Sequence, residues 1–217
     1  MSMDVNIETM WRIKLNKLAD KLRANQMDAF IAGSPDELVK TINHLIPSGS
    51  SVCNGGSMTL YETGILDYLR ERQDIVYYDR DGAKKAESDT LKDVYRQAFS
   101  SDYYLASTNA ITEEGWLYNV DSTGNRVAAM LFGPRNVIII CGRNKLVRTL
   151  EDAERRVRDT VSPANCMRLG RKTPCTATGV CMDCSSPDRI CNLYTVIRKQ
   201  NEKGRIKVVI LNYEAGY

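Results

Sequence analysis

A chain of 217 residues that is 43% hydrophobic and 26% charged carries enough apolar side chains to bury a large core, which excludes a disordered polypeptide. Thirty Lys and Arg face 27 Asp and Glu, with the signs interspersed and a net charge of +3, a balance that argues for neither a nucleic acid nor a membrane partner. The longest apolar stretch, "RVAAMLFGPRNVIIICG", is interrupted by Gly133, Pro134 and Arg135 and cannot span a bilayer.

In chain order, "MSMDVNIETMWRIKLNKLADKLR" breaks every apolar run with charge, so it reads as a peripheral helix over residues 1–25 and not as an export signal; the expected compartment is the cytoplasm. Trp11, Leu15, Leu18 and Leu22 form its apolar stripe. "MDAFIAG" predicts a strand. "SPDELVKTINHLI" predicts a helix, with Ser34 as cap, Pro35 in the first turn and Glu37 completing a capping box. "SSVC" is a second strand, followed by the glycine turn "NGGS" and a helix over "MTLYETGILDYLRER". "DIVYYD" and "KAESDTLKDVYRQAFS" repeat the alternation, and "DYYLAST", "WLYNVD" and "NVIIIC" are further strands, the last the most β-branched. "TLEDAERRVRDTV" predicts a helix that stops before Pro163. "LYTVIRKQ" and "RIKVVILNY" flank "NEKG", which suits a hairpin or a short crossover. This pattern implies one α/β domain over residues 1–217, three-layered, with a mostly parallel sheet flanked by helices.

Ligands of such sheets bind beyond the carboxyl ends of the strands, so the loops there hold the candidates. In "NGGSMT", Asn54, Gly55, Gly56, Ser57 and Thr59 combine a tight turn with a helix start suited to phosphate or carboxylate. The other reading is a glycine turn in which Ser57 or Thr59 caps a helix. In "STNAITEEG", Asn109 lies beside Glu113 and Glu114, and Glu113 is the candidate base or nucleophile if it faces a dry cleft. In "NVDSTGNR", Asp121 is a candidate for orienting a substrate or a base, with Asn125 and Arg126 as anion contacts. The basic stretch with Arg156, Arg158, Arg168, Arg171 and Lys172 reads as a solvated flank.

Seven cysteines, an odd number in a reducing compartment, argue against a disulfide framework. Cys175, Cys181, Cys184 and Cys191 fall within the loop at 170–192 with spacing C-x5-C-x2-C-x6-C. Four thiolates in this pattern are candidate ligands of zinc or an iron–sulfur cluster. Buried packing and thiol catalysis are the other readings. The single histidine, His44, belongs to the polar flank of its helix, so acid–base chemistry falls to Glu, Asp, Lys, Tyr or Cys.

Taken together, "NGGSMTLYETGILDYL", "NAITEEGWLYNVDSTGNRVAAMLFGPRNVIIICGRNK" and "TPCTATGVCMDCSSPDRICN" resemble the LUD (lactate utilisation) domain family, in its stand-alone, cysteine-containing branch. The resemblance implies the fold shared by ribose-5-phosphate isomerase, glucosamine-6-phosphate deaminase and coenzyme A transferases. It implies organic-acid metabolism with a small anionic ligand of the organic-acid, phosphate or coenzyme A type, and leaves the reaction unassigned. The alternative is a metal or iron–sulfur subunit for electron transfer or assembly, working with redox partner subunits in lactate oxidation. Neither nucleic acid nor membrane is an expected partner, and a homo-oligomer is compatible with the sequence. By analogy of fold with coenzyme A transferases, Glu113 or Glu114 stands where a loop nucleophile is expected.

Overall fold

The computed structural model describes residues 4–85 and 88–217. Asp4 accepts the Asn6 and Ile7 N–H groups and opens α1 (Val5–Ala24). After β1 (Asp28–Ala32), Ser34 accepts the Glu37 N–H and caps α2 (Pro35–Leu45), while the Glu37 carboxylate reaches back to the Gly33 N–H at 2.6 Å and not to that of Ser34. β2 (Ser51–Asn54) is followed by two short helices, α3 (Met58–Glu62) and α4 (Ile65–Glu71), in place of the single helix the sequence suggests. The break falls at Gly64, whose φ of 70° is left-handed and cannot continue a helix.

β3 (Val76–Tyr78), α5 (Arg80–Lys85), α6 (Ser88–Ser100) and β4 (Tyr103–Ala106) come next. The loop expected after β4 contains a strand of its own, β5 (Ala110–Thr112), which turns back into β6 (Leu117–Asp121). α7 (Asn125–Phe132) and β7 (Asn136–Gly142) follow, then a 3-10 turn (Arg143–Lys145) and β8 (Leu146–Val147). A capping box between Thr149 and Asp152 opens α8 (Leu150–Arg156). Its path continues through a π-helical turn (Val157–Val161) into α9 (Ser162–Arg168), so the helical path does not stop before Pro163. The wider turn restarts the hydrogen-bond pattern, which leaves Pro163 in a first turn where its missing N–H is no loss. α10 (Pro174–Thr178), β9 (Leu193–Ile197) and β10 (Ile206–Leu211) complete the described elements.

The large sheet runs β1-β10-β7-β4-β2-β3 and every pairing in it is parallel. Strand alternation then sorts its side chains into two layers. Val137, Ile139 and Cys141 of β7 join Leu15, Leu18 and Leu22 of α1 on one face. Ile138 and Ile140 join Leu38 and Ile42 of α2 and Leu66 and Leu69 of α4 on the other. Covering both faces lets β7 be apolar without a break, and each such aliphatic side chain contributes about 1.5–3 kcal/mol when fully buried. The first helix thus lies in an outer layer with its stripe in the core. A smaller sheet, β8-β5-β6-β9, stands apart from the first. Because β9 and β10 belong to different sheets, "NEKG" is a crossover between them and not a hairpin. Among the described residues, no helix is long and apolar enough to cross a membrane.

Candidate functional site

Since β7, β4 and β2 are parallel neighbours, their carboxyl ends stand side by side, and the segments that leave them, 143–145, 107–109 and 55–57, meet at one edge of the large sheet. The end of β6 and the start of α7 face them. Between these walls lies a cleft of about 400 Å³, closed on another side by residues from α9 and the segment after it. Five basic side chains line it, Arg80, Arg126, Lys145, Arg168 and Arg171, against the one carboxylate of Asp121. Arg168 and Arg171, expected in a solvated flank, are exposed yet border the mouth of this cleft.

Lys145 forms the floor. Only 2% of it is exposed, and its Nζ donates to Thr59 Oγ1 at 2.7 Å, Ser107 Oγ at 3.0 Å and the Thr108 carbonyl at 3.2 Å. Thr59 is itself fixed, because its hydroxyl donates to the Ala215 carbonyl at 3.1 Å. Burial disfavours the ammonium, and the guanidinium groups of Arg156 and Arg126 add to that effect against the pull of the Cys141 and Glu62 side chains. The outcome is an amine brought down to about 7, able to gain or lose a proton near neutrality.

Arg126 has a different part from the anion clamp expected of it. Its Nη1 donates to the Ser107 carbonyl at 2.9 Å and Asn119 Oδ1 at 2.7 Å, and its Nη2 to Asn109 Oδ1 at 3.2 Å and the Val120 carbonyl at 2.9 Å. Nε faces Asp121 Oδ2 at 3.4 Å. Both terminal nitrogens are thus held by acceptors of the protein, so Arg126 lends the cleft its charge and stiffens the wall. Asp121 is held through one oxygen: Oδ1 accepts the Ser122 N–H at 2.7 Å and the Gly124 N–H at 3.3 Å, while the buried Oδ2 faces the Arg126 guanidinium without a hydrogen bond.

The glycine turn answers chiefly to the protein's own side chains. A Cβ on Gly55 would meet Tyr104 Oη at 2.6 Å and Arg126 Cγ at 3.1 Å, and one on Gly56 would meet the Arg80 guanidinium carbon at 3.0 Å. Ser57 caps α3 by accepting the Leu60 N–H, but α3 has five residues and little dipole to offer an anion. Gly56, Ser57, Asn109, Asp121, Asn125 and Arg126 line the cleft; Gly55, Asn54 and Thr59 stand behind it. Asn54 is 2% exposed, with Oδ1 accepting from Tyr77 Oη at 2.8 Å.

Glu113 is not brought to the cleft. It is exposed at the turn between β5 and β6, next to Glu114, which pairs with Lys21 at 2.8 Å. A hairpin within the expected loop carries both carboxylates to the far end of β5. His44 is exposed on α2, in agreement with its helical position.

Among the described residues, no three side chains of His, Cys, Asp or Glu group together in a way that could hold a metal ion. Cys175 on α10 packs with Cys166 of α9 and Ile190, and burial pushes the Cys166 thiol up to about 11, next to Cys175 and Cys191. Cys181 and Cys184 are partly exposed in the intervening loop. The segment still serves the cleft: Leu169 and Ile190 line its wall, and Asn192 N–H donates to the Asp121 carbonyl at 3.1 Å.

Sequence reasoning missed Lys145, Ser107 as a side-chain participant, and Arg80. The signal was present, since "GRNK" leaves the most apolar strand at its carboxyl end, where ligand loops belong.

Comparison with known proteins places this geometry in context. The LUD domain family model matches residues 15–211. A DUF162 family protein from Deinococcus radiodurans superposes with a TM-score of 0.50 at 13% identity, covering 93% of this chain and 97% of that one, a likeness of fold. An eIF2B delta structure from Chaetomium thermophilum gives a TM-score of 0.36 at 16% identity over 56% of this chain and 50% of that one. No curated protein matches.

Proposed function

We propose, from the premise that this chain belongs to the LUD domain family, that it binds a small anionic metabolite in the cleft at the carboxyl ends of β2, β4 and β7. The observation that carries this reading is the lining, among the described residues, of four arginines and Lys145 against the Asp121 carboxylate around about 400 Å³ of space. Arg168 and Arg171 draw the anion from solvent, and Arg80 and Arg126 supply fixed positive charge within. Ser57, Asn109 and Asn125 add polar contacts of the kind that orient a ligand. Organic acids, phosphates and coenzyme A derivatives share the required charge, and organic-acid metabolism is the setting that the sequence resemblance implies. A metal-bearing electron-transfer role draws less support, because among the described residues no group of three His, Cys, Asp or Glu side chains is arranged to hold a metal ion.

Calorimetric titration with inorganic phosphate, L-lactate and coenzyme A tests the reading. Binding of at least one, weakened in Arg168→Ala and Arg171→Ala and reduced by added salt, is the expected result. Absence of binding for all three at millimolar concentration, with no change in melting temperature, would overturn it.

A further inference from the structure

We propose that Ser107 and Lys145 form a nucleophile–base pair for acyl transfer, acting on an ester or thioester of an anionic acid bound in the cleft. This inference rests on the anion-binding reading above. Its geometric basis is the 3.0 Å contact between Lys145 Nζ and Ser107 Oγ at the floor of the cleft, which both residues line.

The hydrogen bonds around the pair are complete in two protonation states without movement of a heavy atom. As an ammonium, Nζ donates three times, to Thr59, Ser107 and Thr108, while the Ser107 hydroxyl turns to Thr59 Oγ1 at 3.3 Å or the Thr108 carbonyl at 3.4 Å. As a neutral amine, Nζ keeps two N–H bonds, to Thr59 Oγ1 and the Thr108 carbonyl, and its lone pair receives the Ser107 hydroxyl proton. Thr59 cannot compete for that lone pair, because its own proton is held by the Ala215 carbonyl. A buried lysine whose lone pair faces a single hydroxyl at the floor of a cleft is placed to act as general base for that hydroxyl. Lys145 itself is the poorer nucleophile, with three partners crowding Nζ.

In the proposed step Ser107 Oγ bonds to the acyl carbon as its proton passes to Lys145 Nζ. The carbon–sulfur or carbon–oxygen bond to the leaving group breaks, and that group departs with the bonding pair and takes the proton from the Lys145 ammonium. Water then attacks the acyl carbon as its proton passes to the same amine, the bond from that carbon to Ser107 Oγ breaks with the pair going to Oγ, and Oγ takes the proton back from the Lys145 ammonium as the carboxylic acid leaves. The titratable and charged groups around Nζ are Arg126, Arg156, Glu62 and Cys141.

The full chain is incubated with a fluorophosphonate serine probe and, separately, with p-nitrophenyl acetate, and adducts are located by peptide mass spectrometry. One adduct per chain on Ser107, formed faster as pH rises and levelling above about 7, is the expected result. Ser107→Ala abolishes it, and Lys145→Arg, which retains charge and cannot act as base, slows it by about 100-fold. The wild-type pH profile stands even if a variant folds poorly: a flat profile, or an adduct on Lys145 in place of Ser107, overturns the pairing. Absence of an adduct while phosphate, L-lactate or coenzyme A still binds refutes this inference alone, and absence of the adduct and of binding by all three refutes the anion-binding reading with it.

Discussion

Lys145 Nζ lies 2.7 Å from Thr59 Oγ1 across 86 residues of chain, and both side chains are almost wholly buried. The contact ties the turn after β7 to the first turn of α3 beneath the cleft. Because the amine is brought down to about 7 from an ordinary 10.5, the unfolded chain binds more protons than the folded one between those values. Stability must therefore rise with pH across that window and feel the full cost of the buried ammonium below it. Denaturant melts of wild type and Lys145→Met at several pH values will show the wild type gaining on the variant by on the order of 1 kcal/mol per pH unit in that window. A difference that stays level, or that shifts with rising pH in favour of the variant, refutes the assignment.

Gly55 is held where even a methyl group collides. Gly55→Ala places Cβ 2.6 Å from Tyr104 Oη, at the rigid end of a buried ring. A loss of about 1–3 kcal/mol is expected from the overpacking. Removing the hydroxyl in the double variant Gly55→Ala with Tyr104→Phe recovers part of that loss; equal losses in single and double variants would show that the collision is not the cause.

Arg126 and Arg168 separate structural charge from accessible charge. Arg126→Lys gives up a five-donor fork for three donors and leaves buried carbonyls bare, so a destabilisation of about 2–4 kcal/mol is expected by chemical unfolding. Arg168→Ala, exposed at the mouth, shifts stability by no more than about 0.5 kcal/mol and instead weakens phosphate binding and its salt dependence. The reverse pattern would contradict the placement of both residues.

Glu113→Gln serves as a control within the same region. The carboxylate is exposed and outside the cleft lining, so phosphate affinity stays at the wild-type value and stability within about 0.5 kcal/mol. A drop in affinity would return Glu113 to the site.

The thiols divide by burial. Cys53 and Cys141 are pushed up to about 11 by burial, so both resist alkylation in the native protein. Cys181 and Cys184, partly exposed, react first. Timed alkylation with mass-spectrometric mapping checks the order, and early modification of Cys141 would count against the packing of β7.

What the sequence determines by itself is local. The unbroken apolar run of "NVIIIC" requires cover on both faces, and alternation of such runs with amphipathic segments leaves a layered, mostly parallel α/β arrangement as the economical solution. The glycine turn at 55–56 and the polar segment 119–126 were legible as a cleft wall because they follow strands. Tertiary structure alone decided which side chains share the floor. Glu113 had the chemistry of a base, but a β5–β6 hairpin inside an apparent loop carried it to the surface. Nothing in "GRNK" marks Lys145 by itself, yet the order β10-β7-β4-β2 sets the ends of β7, β4 and β2 together and closes Thr59, Ser107 and Thr108 around it. A lysine's proton affinity depends on the solvent and charges within a few ångströms. Those neighbours come from segments up to 86 residues away, and only the folded sheet sets them in place.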